Sequence, residues 1–143
     1  MFVTTVNYTD FDGHERKETL YFNITESQMR DLFATDPDFS VKSLNTVMES
    51  EDYAEMVRIM KKLMLASYGE KSEDGRIHKK NKEIRENFES SAAFEQLMED
   101  VMYKEDVDFL KRFFRDVFPK KFSETIMSGV DNDSKVAEIA PTT

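Results

Sequence analysis

The chain has no cysteine and no tryptophan among its 143 residues, and it has only four glycines and three prolines. The absence of cysteine excludes disulfides and thiolate chemistry, and it is typical of proteins that work in a reducing cytoplasm. No apolar run approaches the roughly 20 residues that a membrane-spanning helix needs, so we expect no membrane segment. The first ten residues, MFVTTVNYTD, have no basic stretch followed by an apolar one, so the sequence does not predict secretion.

The charge balance is acidic, with 29 acidic and 20 basic side chains and a formal net charge of −9. The negative electrostatic potential of such a protein repels nucleic acid and favours solubility, so we expect no nucleic-acid partner. The apolar residues include 12 phenylalanines and nine methionines. Methionine fills irregular gaps and adapts to different partners, which makes this apolar inventory large but adaptable.

The first 24 residues alternate between apolar and polar side chains and predict a β-hairpin. A two-residue turn at Asp12-Gly13 would put the apolar faces of the two strands on opposite sides of the sheet. A loop of three or five residues brings the two faces together. We therefore predict that Phe2 lies opposite Ile24 and that Val6 lies opposite Leu20.

Helical periodicity begins at residue 25 and continues to Phe122. The longest apolar stripe runs from Tyr53 to Tyr68, and we expect its Met56, Met60 and Met64 to be core residues. Pro119 ends the last helix. The predicted N-caps are Thr25 (in a capping box with Gln28), Ser50, Asn81 or a neighbour, Ser90 or Ser91, and Asp106 or Glu105.

Two of the four glycines fall in one charged connector, SYGEKSEDGRIHKK at residues 67–80. Gly69 directly follows the last periodic residue, so we predict a left-handed C-cap with a positive φ at that position. Asp74-Gly75 predicts a tight turn. The connector then either reverses as a simple loop or forms a miniature hairpin over residues 70–79.

The fold class predicted from these patterns is α+β and predominantly α: an N-terminal β-hairpin (1–24) packed on a bundle of about five to six helices. The helical part spans residues 25–122, and residues 1–122 form one domain. Residues 123–143 are small, polar and aperiodic, and they predict a flexible tail.

The residues offer no recognisable catalytic or metal centre. His14 and His78 lie far apart, each in a charged turn that we expect to be solvated. The segments that start at Asp10 and Asp131 begin like calcium loops but lack the later ligands and the required glycine. There is no nucleophile elbow, P-loop or dinucleotide motif. We therefore expect no enzyme activity, no cofactor and no metal.

Two segments have features that suit partner binding. The basic run RIHKKNKEIR (76–85) has no interleaved aromatic residues, which favours a solvated loop and a first helical turn over a nucleic-acid site. The last helix carries Phe109, Phe113, Phe114 and Phe118, and these cover more than one face. Part of this aromatic band either completes the core or faces a partner. Phe109 is the stronger surface candidate, because it lies off the line of Leu110, Phe114 and Val117.

The stretch KKLMLASYGEKSEDGRIHKKNKEIRENFESSAAFEQLMEDVM (61–102) resembles the tail assembly chaperones of long-tailed bacteriophages. The features that carry the resemblance are a helix that ends in SYGEKSEDGR (67–76), a lysine-bearing bridge, and IRENFESSAAFEQLMEDV (84–101). A short closing helix that ends in Phe118-Pro119 also fits. The similarity covers about residues 50–120.

This resemblance implies a non-enzymatic protein of the infected host cytoplasm. Such chaperones bind the tape measure protein, keep it soluble while tail tube subunits polymerise around it, and are absent from the finished virion. Homo-oligomers, contact with the major tail tube protein and a frameshifted longer form are further implications. The partner-binding residues that we predict are Phe109, Phe113 and Phe118 in the aromatic band, and Lys71, Asp74 and Arg76 in the connector. The alternative is a small acidic adaptor that binds one folded partner.

Overall fold

A computed structural model describes residues 1–123 of the chain. The sheet is antiparallel, with four strands in the order β1-β2-β3-β4. The strands are β1 (Phe2–Thr9), β2 (Glu15–Phe22), β3 (Tyr68–Lys71) and β4 (His78–Lys79). The N-terminal hairpin is thus confirmed, and the connector adds a second, shorter hairpin beside it.

The loop of the first hairpin has five residues, 10–14, which agrees with the prediction of an odd-numbered loop. The predicted pairs Phe2–Ile24 and Val6–Leu20 are wrong by two residues, because Phe2 pairs with Phe22 and Thr4 with Leu20. Side chains alternate with a period of two, so this displacement keeps the same residues on the same face. The buried residues of that face are Phe2, Val6, Leu20 and Phe22.

Gly69 does not cap a helix, and its predicted positive φ is wrong. Helix α3 ends at Ser67, and Gly69 pairs with Tyr21 as a residue of β3. Among the described glycines a positive φ occurs at Gly13 and at Gly75, one in the turn of each hairpin. The predicted Asp74-Gly75 turn and the miniature hairpin are confirmed, with Glu70 opposite Lys79.

A close approach between strands explains the glycine at position 69. A Cβ atom there would lie 2.8 Å from the His78 ring and 2.8 Å from the Lys79 carbonyl oxygen. The His78 Nε2 atom lies 3.0 Å from the Tyr21 carbonyl oxygen and forms a hydrogen bond with it. His78 is therefore a half-buried strand residue, not the solvated turn residue that the sequence predicted.

The described residues contain six helices, three between β2 and β3 and three after β4, and a further helical turn begins at Lys120. They are α1 (Glu26–Thr35), α2 (Val41–Glu49), α3 (Tyr53–Ser67), α4 (Lys82–Glu89), α5 (Ala92–Lys104) and α6 (Val107–Val117). The N-cap at Thr25 and its capping box with Gln28 are confirmed. Of the alternatives that the sequence left open, the N-caps are Asn81, Ser91 and Asp106.

Helix α3 departs from the prediction at its start. Its N-cap is Asp52, whose carboxylate accepts from the Glu55 amide. Ser50 was predicted as that cap, but it ends α2 instead, and its amide donates to the Thr46 and Val47 carbonyls. Serine and aspartate are both favourable N-cap residues, but Ser50 already caps the end of α2, which leaves Asp52 to cap the start of α3.

Helix α3 supplies much of the core against which the sheet and the other helices pack. Met60, Leu63 and Met64 have no exposed surface, so the prediction that the methionine stripe is core is confirmed. At the end of the described chain, Ser123 is buried and its Oγ donates to the Phe118 carbonyl. The sequence had placed Ser123 at the start of the tail; the rest of the predicted tail lies outside the described residues.

Candidate interaction surfaces

Two of the three predicted aromatic contact residues lie in the core. Phe113 is fully buried, and its ring packs edge-on against Phe2 and Phe22 at centroid distances of 5.1 and 5.7 Å. Phe118 is 3% exposed and packs against Phe122 at 5.1 Å. The expectation that these two rings face a partner does not fit this fold, because both rings pack against other aromatic side chains in the core.

Phe109 has a different environment. It is only half-buried, with its ring 5.4 Å from that of Phe2 on one side. The Arg112 guanidinium lies 5.8 Å from the Phe109 ring centroid on the outer part of the same helix. An aromatic ring that is partly exposed beside a cation forms an amphipathic edge, which we call the Phe109 edge (Phe109 and Arg112).

The predicted connector residues lie in and beside the β3–β4 turn. The Asp74 carboxylate accepts from the Ser72 hydroxyl at 2.8 Å and from the Arg76 side chain at 2.8 Å. The Arg76 side chain is 84% exposed. Lys71 is half-buried, and its ammonium lies 5.2 Å from the Tyr21 ring centroid. Arg76 is therefore the most accessible of the three, whereas Lys71 packs on the sheet.

An exposed apolar corner lies where α5 passes into α6. Met102 is 59% exposed, Tyr103 is 82% exposed and Val107 is 40% exposed. By helical periodicity Met102 would continue the inward stripe of Leu97 and Val101, and Val107 that of Leu110, but both side chains are exposed. The connection between the helices includes Glu105, which has a left-handed backbone with a φ of 47°. Tyr103 was identifiable from the sequence, since it lies about 200° around the helix from the buried Val101.

Two ten-residue segments carry opposite formal charges. Residues 76–85 contain five basic side chains and one acidic side chain, which gives +4. Residues 99–108 contain five acidic side chains and one basic side chain, which gives −4. The second segment includes the apolar corner, and the first begins at the tip of the β3–β4 hairpin. Each segment therefore combines exposed apolar surface with one sign of charge.

In the basic run, the fold draws the Lys80 ammonium inward. Its ammonium donates to the Asn23 carbonyl and to Gln28 Oε1, the latter at 2.8 Å. Burial lowers the pKa of Lys80 to about 8, because the charged form loses water. The interpretation of the whole run as solvated is thus wrong at this position.

The first hairpin loop brings Asp10, Asp12 and His14 together, with one ligand atom of each within 4.8 Å of the others. The Asp10 carboxylate is already used by the fold. It accepts from the Asp12 and His14 amides, both at 2.9 Å, and from the Arg16 side chain at 2.6 Å. The Arg16 hydrogen bond lowers the pKa of Asp10. These contacts explain the cluster as a turn that is held by hydrogen bonds.

None of the helices in residues 1–123 has the length and apolar character needed to cross a membrane. The comparison with families gives a match to the phage tail assembly chaperone model over residues 1–141. No curated protein and no solved structure matches the chain.

The fold thus defines an acidic helical domain with exposed apolar edges and no assigned active site among its described residues. The chain belongs to the phage tail assembly chaperone family, since the family model spans nearly all of it. The match extends the resemblance that residues 50–120 show to the N-terminal hairpin and to most of the C-terminal segment.

Proposed function

We propose that this tail assembly chaperone binds the tape measure protein of its phage and keeps it soluble in the host cytoplasm while the tail tube assembles. The observation that carries the proposal is the family match over residues 1–141. The proposed role is non-enzymatic and needs no cofactor. The protein leaves as the tube grows and is absent from the mature virion. The tail tube protein and a frameshifted longer form are further proposed partners.

The charge and the surface of the domain support a chaperone that holds an aggregation-prone client. A net charge of −9 keeps a complex in solution by repulsion between complexes. Apolar side chains are partly exposed at Phe109 and exposed at the α5–α6 corner of the same molecule. Weak binding by each of several copies gives avidity along a long client, and it still permits release copy by copy as tube subunits arrive.

The Phe109 edge is the client contact that we propose. Phe109 and Val107 lie about 160° apart around α6, so this edge and the α5–α6 corner are on opposite sides of the helix. The Phe109 ring is anchored on Phe2 and keeps part of its surface exposed. Such a ring fits the apolar face of a client helix, and Arg112 beside it fits an acidic residue of that client.

The test is co-expression of the chaperone with a fragment of the tape measure protein. We expect the wild-type chaperone to keep the fragment soluble in complexes that contain several chaperone copies. The Phe109→Ser variant should stay folded by circular dichroism and leave most of the fragment in the pellet, because the ring supplies the apolar contact. The measurements are the soluble fraction of the fragment and the mass of the complex.

Phe11→Ser is the matched control, since Phe11 is 83% exposed at the tip of the first hairpin. This variant should behave as the wild type does. A fragment that stays insoluble with wild-type chaperone would contradict the proposed function. One small complex of defined stoichiometry would favour the adaptor instead. If Phe109→Ser and Phe11→Ser protect the fragment equally well, the client contact lies elsewhere.

A further inference from the structure

The chain has two Asp-Gly pairs, and each lies in the turn of one hairpin. Asp12-Gly13 lies between β1 and β2, and Asp74-Gly75 lies between β3 and β4. In both turns the glycine has a positive φ, 85° at Gly13 and 77° at Gly75. A Cβ atom added at either glycine would meet open space. The two pairs therefore have similar backbones and similar surroundings.

The backbone hydrogen bonds of the two turns also correspond. The Gly13 amide donates to the Asp10 carbonyl at 3.0 Å, and the Gly75 amide donates to the Ser72 carbonyl at 3.1 Å. In each turn the carbonyl three residues earlier holds the glycine amide. A difference in reactivity between the two pairs must therefore come from their aspartate side chains.

The two loops use different aspartates to hold the amide that follows the glycine. In the first loop that amide belongs to His14, and it donates to the Asp10 carboxylate at 2.9 Å. In the second loop it belongs to Arg76, and it donates to the Asp74 carboxylate at 3.1 Å. An arginine Nε completes each arrangement: Arg16 donates to the first carboxylate at 2.6 Å, and Arg76 donates to the second at 2.8 Å. Asp10 thus has in the first loop the role that Asp74 has in the second.

This exchange of roles makes the two aspartates that precede glycine different. The Asp74 carboxylate accepts from Arg76 and also from the Ser72 hydroxyl, the latter at 2.8 Å. Within residues 1–123 no hydrogen bond or salt bridge involves the Asp12 carboxylate, and Asp12 is exposed. The Asp12 carboxylate can therefore turn toward the Gly13 amide without breaking a contact.

We propose that Asp12 is a site of spontaneous isomerisation to isoaspartate in the folded protein, and that the fold protects Asp74 from the same reaction. The Gly13 amide nitrogen attacks Cγ of Asp12, and the N–Cγ bond forms while the carboxyl hydroxyl and the amide proton leave as water. Glycine has no side chain to hinder this intramolecular attack. Water then opens the five-membered succinimide ring at the backbone carbonyl, so that the chain continues through Cβ and Cγ of Asp12.

The same attack on Asp74 requires its carboxylate to leave Ser72 and Arg76 first. Hydrogen bonds to a charged group are stronger than those between neutral groups, so this release raises the barrier. The hydrogen bonds from the Arg76 amide and from the Ser72 and Arg76 side chains also lower the pKa of Asp74. The neutral carboxyl, which is the form that loses water, is then rarer. We expect Asp12 to isomerise at least about tenfold faster than Asp74 in the folded protein.

The experiment ages the full-length protein in mildly acidic buffer at physiological temperature and then digests it with endoproteinase Lys-C. The two pairs fall in different peptides, 1–17 and 72–79. Liquid chromatography with fragmentation mass spectrometry separates isoaspartate from aspartate in each peptide, and circular dichroism verifies that the aged protein stays folded. The same protein in concentrated urea should isomerise at similar rates in both peptides, because neither loop is then formed.

Two variants test the cause of the difference. Ser72→Ala with Arg76→Ala removes the side-chain hydrogen bonds from the Asp74 carboxylate, so peptide 72–79 should isomerise faster while peptide 1–17 keeps its rate. Asp12→Glu should leave peptide 1–17 unmodified, since the longer side chain does not form the five-membered ring.

Three results would overturn the proposal. If Asp12 isomerises in urea but not in the folded protein, the fold protects both loops. If Asp12 and Asp74 isomerise equally fast in the folded protein, hydrogen bonding gives Asp74 no protection. If the double variant keeps the wild-type rate at Asp74, the cause given for its protection is wrong. The reaction needs no client, so these results do not depend on the proposed function.

Discussion

Position 69 shows how one residue type can be required for a reason that the sequence does not display. The pattern around Gly69 indicated the end of a helix, where glycine adopts a left-handed backbone. In the fold the same glycine leaves space for the His78 ring and for the Lys79 carbonyl. The requirement comes from a strand that passes close by, and that strand is ten residues further along the chain.

We expect Gly69→Ala to destabilise the domain by about 1–3 kcal/mol, because the new methyl group overlaps backbone as well as the His78 ring. The measurement is the free energy of unfolding in urea. Glu70→Ala is the matched control, since Glu70 is an exposed residue of the same strand. Equal stability of the two variants would show that β4 moves away at no cost.

Lys80 makes the stability of the domain depend on pH. Its pKa falls from 10.5 in the unfolded chain to about 8 in the fold. Between these values the unfolded state binds more protons than the folded state, so this group makes stability rise with pH. We expect the melting temperature of the wild type, relative to that of Lys80→Met, to increase between pH 8 and pH 10.

The exposed neighbour Lys79 provides the control for this experiment, because Lys79→Met removes the same charge without touching the buried contacts. That variant should keep the rise seen in the wild type. If Lys80→Met and the wild type have the same pH profile, the Lys80 ammonium stays hydrated in the folded protein. Readings above pH 10 are less useful, since burial also raises the pKa of Tyr68.

At the scale of elements, a charge cluster fixes the α1–α2 connection to α3. Lys62 on α3 contacts Asp36 at 2.8 Å and Asp38 at 2.6 Å. Arg58, one turn earlier, contacts Asp38 at 3.0 Å. The hydrogen bonds from Arg58 and Lys62 lower the pKa of Asp38 to about 2. A proline-containing connection is thereby held against the helix at the centre of the core.

We expect Asp38→Asn to lower the free energy of unfolding by about 1 kcal/mol near neutral pH, the upper end for a partly exposed network. The folded pKa of Asp38 lies below its unfolded value. Its contribution is therefore complete above about pH 3.8 and is lost as the pH falls toward 2. Melting temperatures of wild type and variant should converge over that range.

Asp31→Asn is the control for this comparison. Asp31 is an exposed residue of α1 and forms no salt bridge among the described residues. The same change of charge there should leave the melting temperature nearly unchanged at every pH. If Asp38→Asn loses no more stability than Asp31→Asn at pH 7, the cluster contributes nothing beyond general charge.

For the molecule as a whole, the proposed function assigns one side of α6, the Phe109 edge, to the client. In this proposal the net charge of −9 keeps the complex with the client soluble, because complexes of like charge repel each other.

Local sequence patterns determined the helix caps, the faces of the first hairpin and the family of this protein. Caps at Thr25, Asn81, Ser91 and Asp106 use side chains that reach amides two or three residues away, so the sequence located each of them to within a residue or so. The alternation in residues 1–24 determined the faces of the first hairpin, because period two is a property of the strand itself. The resemblance in residues 61–102 identified the family that the match over 1–141 confirmed.

Only the tertiary structure decided which apolar side chains stay exposed and can contact a partner. Phe109, Phe113 and Phe118 are all phenylalanines of one segment, yet the sheet covers Phe113, Phe122 packs on Phe118, and Phe109 stays partly exposed. Met102 and Val107 fit an inward stripe by periodicity, but the tight α5–α6 connection leaves both exposed. Burial depends on contacts between segments distant in the chain, and no local pattern contains those contacts.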